Sequence, residues 1–130
     1  MDLSVVVITK DEERNIGRCL ESVKWADEII VVDSDSTDRT RDIAAQCGAR
    51  IITSPWRGYG QTKRYGVDRA QGRWILSIDA DEVVSRELTE EIRRVIHSPE
   101  GCVGYFIPRR TNFLGRWIKH SGWHPDPVLR

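Results

Sequence analysis

The chain has 130 residues, of which 39% are hydrophobic and 31% are charged, so it can bury the core of one globular domain. Its 20 Lys and Arg residues equal its 20 Asp and Glu residues, which excludes an overall basic field that would recruit nucleic acid. The three cysteines are widely spaced and form no disulfide framework, so we expect a reducing compartment and a cytoplasmic protein.

The first half of the chain predicts two strand–helix units. A continuous apolar strand, Leu3–Ile8, precedes a helix whose apolar residues recur at helical spacing: Ile16, Cys19, Leu20 and Val23. A second strand, Glu28–Val32, precedes a helix marked by Thr40, Ile43, Ala44 and Cys47. Gly48 follows this helix directly and is predicted to be its C′ residue.

The second half repeats this alternation. A third strand, Arg50–Thr53, is followed by a weaker helical pattern from about Gln61 to Gln71. A fourth strand, Trp74–Ile78, leads to a helix that is capped by Ser85 and stops before Pro99, and a fifth strand is predicted at Val103–Ile107. The runs are continuous rather than alternating, which is typical of strands covered on both faces. The pattern predicts an α/β fold with a doubly wound, mostly parallel sheet.

Polar loops follow the first four predicted strands. They read ITKDEERN, DSDSTD, SPWRGYG and DADE, and in a parallel sheet all four face one cleft at the carboxyl edge. Three acids crowd the end of the fourth strand, where they repel one another unless a cation lies between them: Asp79, Asp81 and Glu82. Asp79 and Asp81 are two residues apart, so in an extended chain both side chains point toward one Mg²⁺ or Mn²⁺.

The segment between the third and fourth strands is basic. From residue 57 to residue 73 a single acid, Asp68, accompanies five cations: Arg57, Lys63, Arg64, Arg69 and Arg73. Acids on one wall of a cleft and cations on another predict a site for a metal-bound diphosphate. The structural alternatives are a solvated helix face for the cations and a charged turn for the acids.

The blocks VVVITKDEERNI, VVDSDSTDRT and GYGQTKRYGVDRAQGRWILSIDADE, in this order, resemble the nucleotide-sugar-binding half of the inverting GT-A glycosyltransferases of family 2. The resemblance covers about residues 3 to 98. Within the family the chain is most similar to bacterial lipopolysaccharide-core β-glucosyltransferases, which share a later GWxPD segment, here Gly122–Asp126. It implies a donor-binding α/β domain over residues 1–100. Residues 101–130 then begin an acceptor-binding half, and we expect the chain to be a piece of a longer protein.

The resemblance also implies donor-binding roles by position. Thr9 and Glu12 line the nucleoside pocket, and Asp33 closes on the base or the ribose. Ser34 stands where many family members have an acid that contacts uracil, so the base is left open, with UDP preferred.

On the diphosphate side, Lys63 and Arg64 approach the base or the diphosphate. Asp81 binds the metal directly, and Asp79 contacts the ribose or the metal through water. These roles follow from the resemblance alone.

The implied activity is transfer of a hexose, from UDP-glucose by preference, to a glycan or lipopolysaccharide-core acceptor. The reaction is a single inverting displacement assisted by Mg²⁺ or Mn²⁺. Its general base is expected in the acceptor-binding half, where Asp126 is the candidate beside His120 and His124. A lipid-linked acceptor implies peripheral association with the inner face of the membrane, and no nucleic acid partner is expected.

Other interpretations of single motifs are open. Thr9-x-x-Glu12 has the form of a capping box before a helix. Core or subdomain packing, rather than a sugar platform, is expected for four of the tryptophans: Trp56, Trp74, Trp117 and Trp123. A zinc site at His120 and His124 is disfavoured, because Gly122 and Pro125 oppose the helix that would align them.

Three further functions are open alternatives. A receiver-like signalling domain also places acids around Mg²⁺ at strand ends, but it does not account for the crowded acids or the basic segment. A nucleotidyltransferase requires a glycine-rich loop after the first strand, which ITKDEERN lacks. A donor-binding piece without turnover is the third.

Overall fold

Helices and strands alternate along the chain as the sequence predicts. The computed structural model describes residues 2–97, 104–106 and 117–120. Its elements are β1 (Leu3–Thr9), α1 (Ile16–Glu21), β2 (Glu28–Asp33), α2 (Thr40–Gln46), β3 (Arg50–Thr53), α3 (Tyr59–Val67), β4 (Trp74–Asp79), α4 (Arg86–Ile96), β5 (Gly104–Phe106) and β6 (Trp117–His120).

The strands form one six-stranded sheet in the order β3-β2-β1-β4-β6-β5. β1 pairs in parallel with β2 and β4, and β2 pairs in parallel with β3. β6 runs antiparallel to both β4 and β5. The parallel strands end in register, because Thr9 lies opposite Asp33 and Ile8 lies opposite Asp79. The loops that follow β1, β2 and β4 therefore start at the same edge, as a mostly parallel sheet requires.

The central strands are buried on both faces. Along β1, Leu3, Val5 and Val7 belong to a core shared with α1, α2 and α4. Val6 and Ile8 point to the opposite face, where the core includes Val67 of α3. Helices thus cover both sides of the sheet, which confirms the doubly wound prediction. β3 is different: it lies at the sheet edge and is only partly buried, so the expectation of two covered faces is wrong for this strand.

Helix α3 packs unusually close to the sheet. A Cβ atom on Gly66 would lie 2.6 Å from Val6 Cγ1 and 2.8 Å from Val32 Cγ2, so only glycine fits there. The helix spans Tyr59–Val67, and it begins and ends before the predicted residues 61 and 71. Its early start places Tyr59 at the carboxyl edge of the sheet.

The predicted helix ends on either side of α3 agree with the structure. Ser85 caps α4, since its hydroxyl accepts a hydrogen bond from the amide of Leu88. Gly48 follows α2 with φ +84°, a conformation that favours glycine.

Among the described residues, none of the helices has the length and apolarity that crossing a membrane requires. The division into two halves near residue 100 stays a prediction.

Candidate active site

β4 ends in a tight turn of four residues, Asp79, Ala80, Asp81 and Glu82, which we call the acidic turn. The amide of Glu82 donates a hydrogen bond of 3.0 Å to the carbonyl oxygen of Asp79. In the opposite direction, Glu82 Oε1 accepts a hydrogen bond of 2.7 Å from the amide of Asp79. One carboxylate oxygen from each of the three acids lies within 4.8 Å of the others. The crowding of charge expected from the sequence is therefore real.

This group of oxygens suits a divalent cation. Mg²⁺ prefers oxygen ligands at about 2.1 Å, and Mn²⁺ favours the same carboxylate and water ligands. Oxygens within 4.8 Å of one another need only small side-chain rotations to share one such ion. Asp81 is exposed and Asp79 is partly buried, so both can reach an ion at the surface of the turn.

A cavity of about 440 Å³ opens beside the acidic turn. Its walls come from the ends of β1 and β4 and from the β3–α3 loop: Ile8, Thr9, Lys10, Glu12, Trp56, Tyr59, Asp79, Ala80 and Asp81. This volume is in the range of small-molecule sites. The structure thus brings four of the predicted donor-binding residues to one cavity: Thr9, Glu12, Asp79 and Asp81.

The cavity wall at β1 includes a buried hydroxyl. Thr9 is 6% exposed, and its Oγ1 has no hydrogen-bond partner among the described residues. The capping box that was one interpretation of Thr9 and Glu12 does not form, because α1 begins at Ile16 with Asn15 as its N-cap. The carboxylate of Glu12 instead accepts a hydrogen bond of 2.9 Å from Asn15 Nδ2. Thr9 therefore has no capping role and faces the cavity.

The loops after β1 and β2 are joined by five hydrogen bonds from a backbone amide to a side chain, which we call the loop clamp. Three successive amides of the first loop donate to side chains of the second, and two carboxylates of the first loop accept from amides of the second. The pairs are Asp11 to Ser36, Glu12 to Thr40, Glu13 to Asp38, Thr37 to Asp11 and Arg39 to Glu13. Several acids of these two loops therefore hold the loops to each other.

Asp33 lies at the end of β2 and is fully buried. Its carboxylate accepts hydrogen bonds from the hydroxyl of Ser36 at 2.5 Å and from its amide at 3.0 Å. Arg41 Nε lies 3.8 Å from Asp33 Oδ2. Ser34 is also buried, and its amide donates to the carbonyl oxygen of Thr9. Neither Asp33 nor Ser34 lines the cavity, so their roles in donor binding stay predictions.

The basic segment divides into two groups. Lys63 is only 2% exposed, and its Nζ lies 6.0 Å from the centroid of the Tyr59 ring, beside the cavity. Arg57 and Arg69 instead lie over the ring of Tyr65, at 5.3 and 3.6 Å. Arg64 is exposed and does not line the cavity. The solvated-face interpretation therefore suits the arginines, whereas Lys63 is directed toward the interior.

Two aromatic residues line the cavity, although Trp56 was expected to pack and Tyr59 was not a predicted site residue. Trp56 is 51% exposed and Tyr59 is 59% exposed, and their rings meet edge to face with centroids 5.0 Å apart. Core packing is wrong for Trp56, and its packing against a subdomain stays a prediction, whereas Trp74 is buried in the core as expected. The signal was present: Trp56 and Tyr59 stand in SPWRGYG, a Gly- and Pro-containing loop at a strand end. Of the later candidates, Trp123, His124 and Asp126 lie outside the described residues.

A buried thiol lies beneath the acidic turn. Cys19 on α1 is fully buried, and its Sγ lies 3.5 Å from the carbonyl oxygen of Asp79. Burial, with a smaller contribution from the charge of Glu82, raises the pKa of the Cys19 thiol far above its ordinary value. The thiol therefore stays protonated and donates to the turn.

Residues 4–129 match the sequence profile of Glycosyl transferase family 2, so the chain belongs to this family. An uncharacterized glycosyltransferase of Rickettsia felis is 47% identical over 108 residues, which are 81% of this chain and 38% of that protein. The lipopolysaccharide core biosynthesis glycosyltransferase LpsC of Rhizobium meliloti is 32% identical over 98% of this chain and 47% of its own length. The chain thus spans less than half the length of these relatives.

Solved structures show the same fold. Glucosyl-3-phosphoglycerate synthase of Mycobacterium tuberculosis, in complex with phosphoglyceric acid, superposes with a TM-score of 0.75 at 21% identity, over 93% of this chain and 57% of that one. The same enzyme with Mn²⁺, UDP and glucosyl-3-phosphoglycerate gives a TM-score of 0.63 at 26% identity, over 75% and 40%. TarS of S. aureus in complex with UDP-GlcNAc gives a TM-score of 0.67 at 20% identity, over 94% of this chain and 46% of that one. The fold is therefore GT-A, and family membership decides against a receiver domain or a nucleotidyltransferase.

Proposed function

We propose that the cavity beside the acidic turn binds a nucleotide-diphosphate sugar together with Mg²⁺ or Mn²⁺, as the donor site of a glycosyltransferase. The observation that carries this proposal is the placement of Asp79 and Asp81 on the wall of the same 440 Å³ cavity as Thr9 and Glu12. A cavity at the carboxyl edge of a parallel sheet is where α/β folds bind nucleotides.

Each cavity residue has a chemical role in this proposal. Asp81, which is exposed, and Asp79 hold the metal, which when bound stabilises negative charge on the departing diphosphate. The hydroxyl of Thr9 and the carboxylate of Glu12 contact the nucleoside. Lys63, which is buried beside Tyr59, places positive charge toward the diphosphate.

The reaction is one displacement with inversion. The oxygen of an acceptor hydroxyl forms a bond to the anomeric carbon of the donor sugar. The bond from that carbon to the diphosphate oxygen breaks, and its electron pair leaves with the nucleoside diphosphate. The hydroxyl proton passes to a general base, for which Asp126 is the candidate.

UDP-glucose is the proposed donor and a lipopolysaccharide-core or other glycan the proposed acceptor. Complexes of two structural neighbours with UDP and with UDP-GlcNAc support a uridine donor. The name of LpsC supports the acceptor class and, with it, a site of action at the inner face of the membrane. The chain spans 38% of the length of the Rickettsia felis relative and 47% of the length of LpsC. Donor binding without turnover is therefore the second candidate function for these 130 residues alone.

A thermal-shift panel tests the proposal. UDP, GDP, ADP and their glucose conjugates are added with Mn²⁺ or with EDTA. A ligand at about 100 times its Kd adds about 2.7 kcal/mol of stability, so UDP with Mn²⁺ should raise the melting temperature by several degrees. Asp81→Ala should abolish this shift, while Asp68→Ala, at an exposed acid outside the cavity, should keep it. Equal shifts in both variants, or none with any nucleotide in the parent, would refute the proposal.

A further inference from the structure

Glu82 differs from the other two acids of the turn. It is 4% exposed, whereas Asp81 is exposed and Asp79 is partly buried. Asp79 and Asp81 line the cavity, and Glu82 does not. The three acids of the turn therefore lie in two different environments: Asp79 and Asp81 at the cavity wall, and Glu82 in the interior.

The carboxylate of Glu82 is directed at the backbone of its own turn. Its Oε1 accepts a hydrogen bond of 2.7 Å from the amide of Asp79, and its amide donates one of 3.0 Å to the carbonyl oxygen of the same residue. A hydrogen bond to an ionised acceptor is stronger than a neutral one. These two bonds close the turn over four residues and limit the orientations of Asp79 and Asp81.

Helix α1 supports the turn from below. The thiol of Cys19 lies 3.5 Å from the carbonyl oxygen of Asp79. The hydroxyl of Ser22 accepts a hydrogen bond of 3.0 Å from the amide of Val84 and donates one of 2.7 Å to the carbonyl oxygen of Cys19. The turn is thus connected to the core before and after its exposed residue, Asp81.

We propose that Glu82 is a positioning residue, which holds the acidic turn so that Asp79 and Asp81 present their carboxylates to the cavity, and that it is not itself a metal ligand. The inference rests on the proposed function, because it assigns Glu82 a role in metal–nucleotide binding. Three carboxylates within 4.8 Å repel one another. Without the hydrogen bond between the Asp79 amide and Glu82, the exposed Asp81 would turn toward solvent. Fixed ligands bind more tightly than ligands that must be ordered on binding.

Substitutions that separate the hydrogen bond from the charge test the proposal. Glu82→Gln keeps an oxygen that can accept from the Asp79 amide but removes the charge. Glu82→Asp keeps the charge but is one methylene too short. Glu82→Ala removes both. The Kd of UDP with Mn²⁺ is measured by calorimetry well below the melting temperature of each variant, with Asp81→Asn as the comparison.

Loss of a residue that orients a metal ligand costs about 10- to 100-fold in metal affinity. We expect this weakening in Glu82→Ala and Glu82→Asp, whereas Glu82→Gln stays within about threefold of the parent. Glu82→Gln as weak as Asp81→Asn would show that Glu82 is a ligand and overturn the proposal. Parent-like binding by folded Glu82→Asp or Glu82→Ala would overturn it too, because the residue would then be only structural.

Amide hydrogen exchange in the ligand-free protein separates this inference from the proposed function. The Asp79 amide should lose protection in Glu82→Asp and keep it in Glu82→Gln. If this pattern is seen but the parent binds no nucleotide, the hydrogen bond between Glu82 and the Asp79 amide is confirmed. The proposed donor site is then wrong, and so is the role assigned to Glu82 in donor binding. If parent and Glu82→Asp exchange alike while the parent binds UDP, only the inference on Glu82 fails.

Discussion

The backbone amide of Asp11 donates a hydrogen bond of 2.8 Å to the hydroxyl oxygen of Ser36, 25 residues later in the chain. The same hydroxyl donates to the buried carboxylate of Asp33 at the end of β2. Ser36 therefore joins the β1–α1 loop, which contributes Lys10 and Glu12 to the cavity, to the second strand. The position of this cavity wall depends on a residue that does not line it.

Ser36→Ala should lower stability and weaken donor binding together. The substitution removes hydrogen bonds from both the Asp11 amide and the Asp33 carboxylate, and a buried group left unsatisfied costs about 1–3 kcal/mol. Urea unfolding measures the first effect and the Kd of UDP with Mn²⁺ the second. Thr37→Ala is the matched control, because Thr37 is exposed and its hydroxyl makes only a 3.4 Å contact with Asp11. If Ser36→Ala unfolds at the same urea concentration as Thr37→Ala, the loop clamp does not hold the two loops.

Gly66→Ala should destabilise the fold by about 1–3 kcal/mol, because the added methyl group overpacks the interface between α3 and the sheet. Its Cβ would lie 2.6 Å from Val6 Cγ1. Gly60→Ala in the same helix has no atom within 4 Å of the new Cβ, and alanine is a better helix former by up to about 1 kcal/mol. Urea unfolding of the two variants should therefore give shifts of opposite sign. Equal shifts would mean that α3 lies farther from β1 than the structure shows.

Trp56→Ala should weaken UDP binding without altering stability. Stacking of a nucleobase on an aromatic side chain contributes about 1–3 kcal/mol, and Trp56 lines the cavity beside Tyr59. The residue is 51% exposed, so the free energy of unfolding should change by less than about 0.5 kcal/mol. Trp25→Ala is the converse control: Trp25 packs against the core beneath Arg93 and should affect unfolding but not the Kd. Unchanged UDP affinity in Trp56→Ala would remove this ring from the donor site.

Asp27 should make stability sensitive to acid. Hydrogen bonds from the amide of Leu3 and then from that of Asp2 hold the pKa of Asp27 below its ordinary value of 3.8. Because the pKa is lower in the folded state, the stabilisation is complete above 3.8 and is lost as the pH falls through the folded-state pKa. Urea midpoints of the parent and of Asp27→Asn should therefore differ near neutral pH and converge as the pH falls below the ordinary value of 3.8. A difference that stays constant with pH would contradict the assignment.

The strands were predictable because their signal is local. Continuous apolar runs identified the four parallel strands to within one residue at each end. For β1, β2 and β4 the reason is that both faces are buried, which leaves few polar positions to interrupt the run, whereas β3 is only partly buried. The N-cap at Ser85 and the C′ residue Gly48 were equally readable, because caps depend on one side chain or on one backbone angle. The strand Trp117–His120 was not predicted, because its pairing with β4 is a contact between distant segments.

The site was predicted in part. The carboxylates of Asp79 and Asp81 come together because both follow a buried strand, and this is visible in the order of residues. The loop clamp was not foreseen: the sequence placed the loops after β1 and β2 at one cleft, but it did not show that Asp11 and Asp38 accept hydrogen bonds from amides of the neighbouring loop. The exposure of Trp56 was likewise misjudged, because hydrophobicity alone does not tell a core ring from a ring at a cavity.

The sequence by itself determined the fold class, the family and the edge of the sheet at which chemistry is expected, because periodicity and the order of motifs are properties of the chain. Only the tertiary structure decided which charged side chains face the cavity and which hold the backbone. Asp81 and Glu82 are consecutive residues, but Asp81 lines the cavity and Glu82 accepts a hydrogen bond from the backbone. The difference arises because a carboxylate accepts a hydrogen bond from whichever amide the packed fold brings close to it. Such proximity depends on how β1, β4 and α1 pack against one another, which the linear order of residues does not encode.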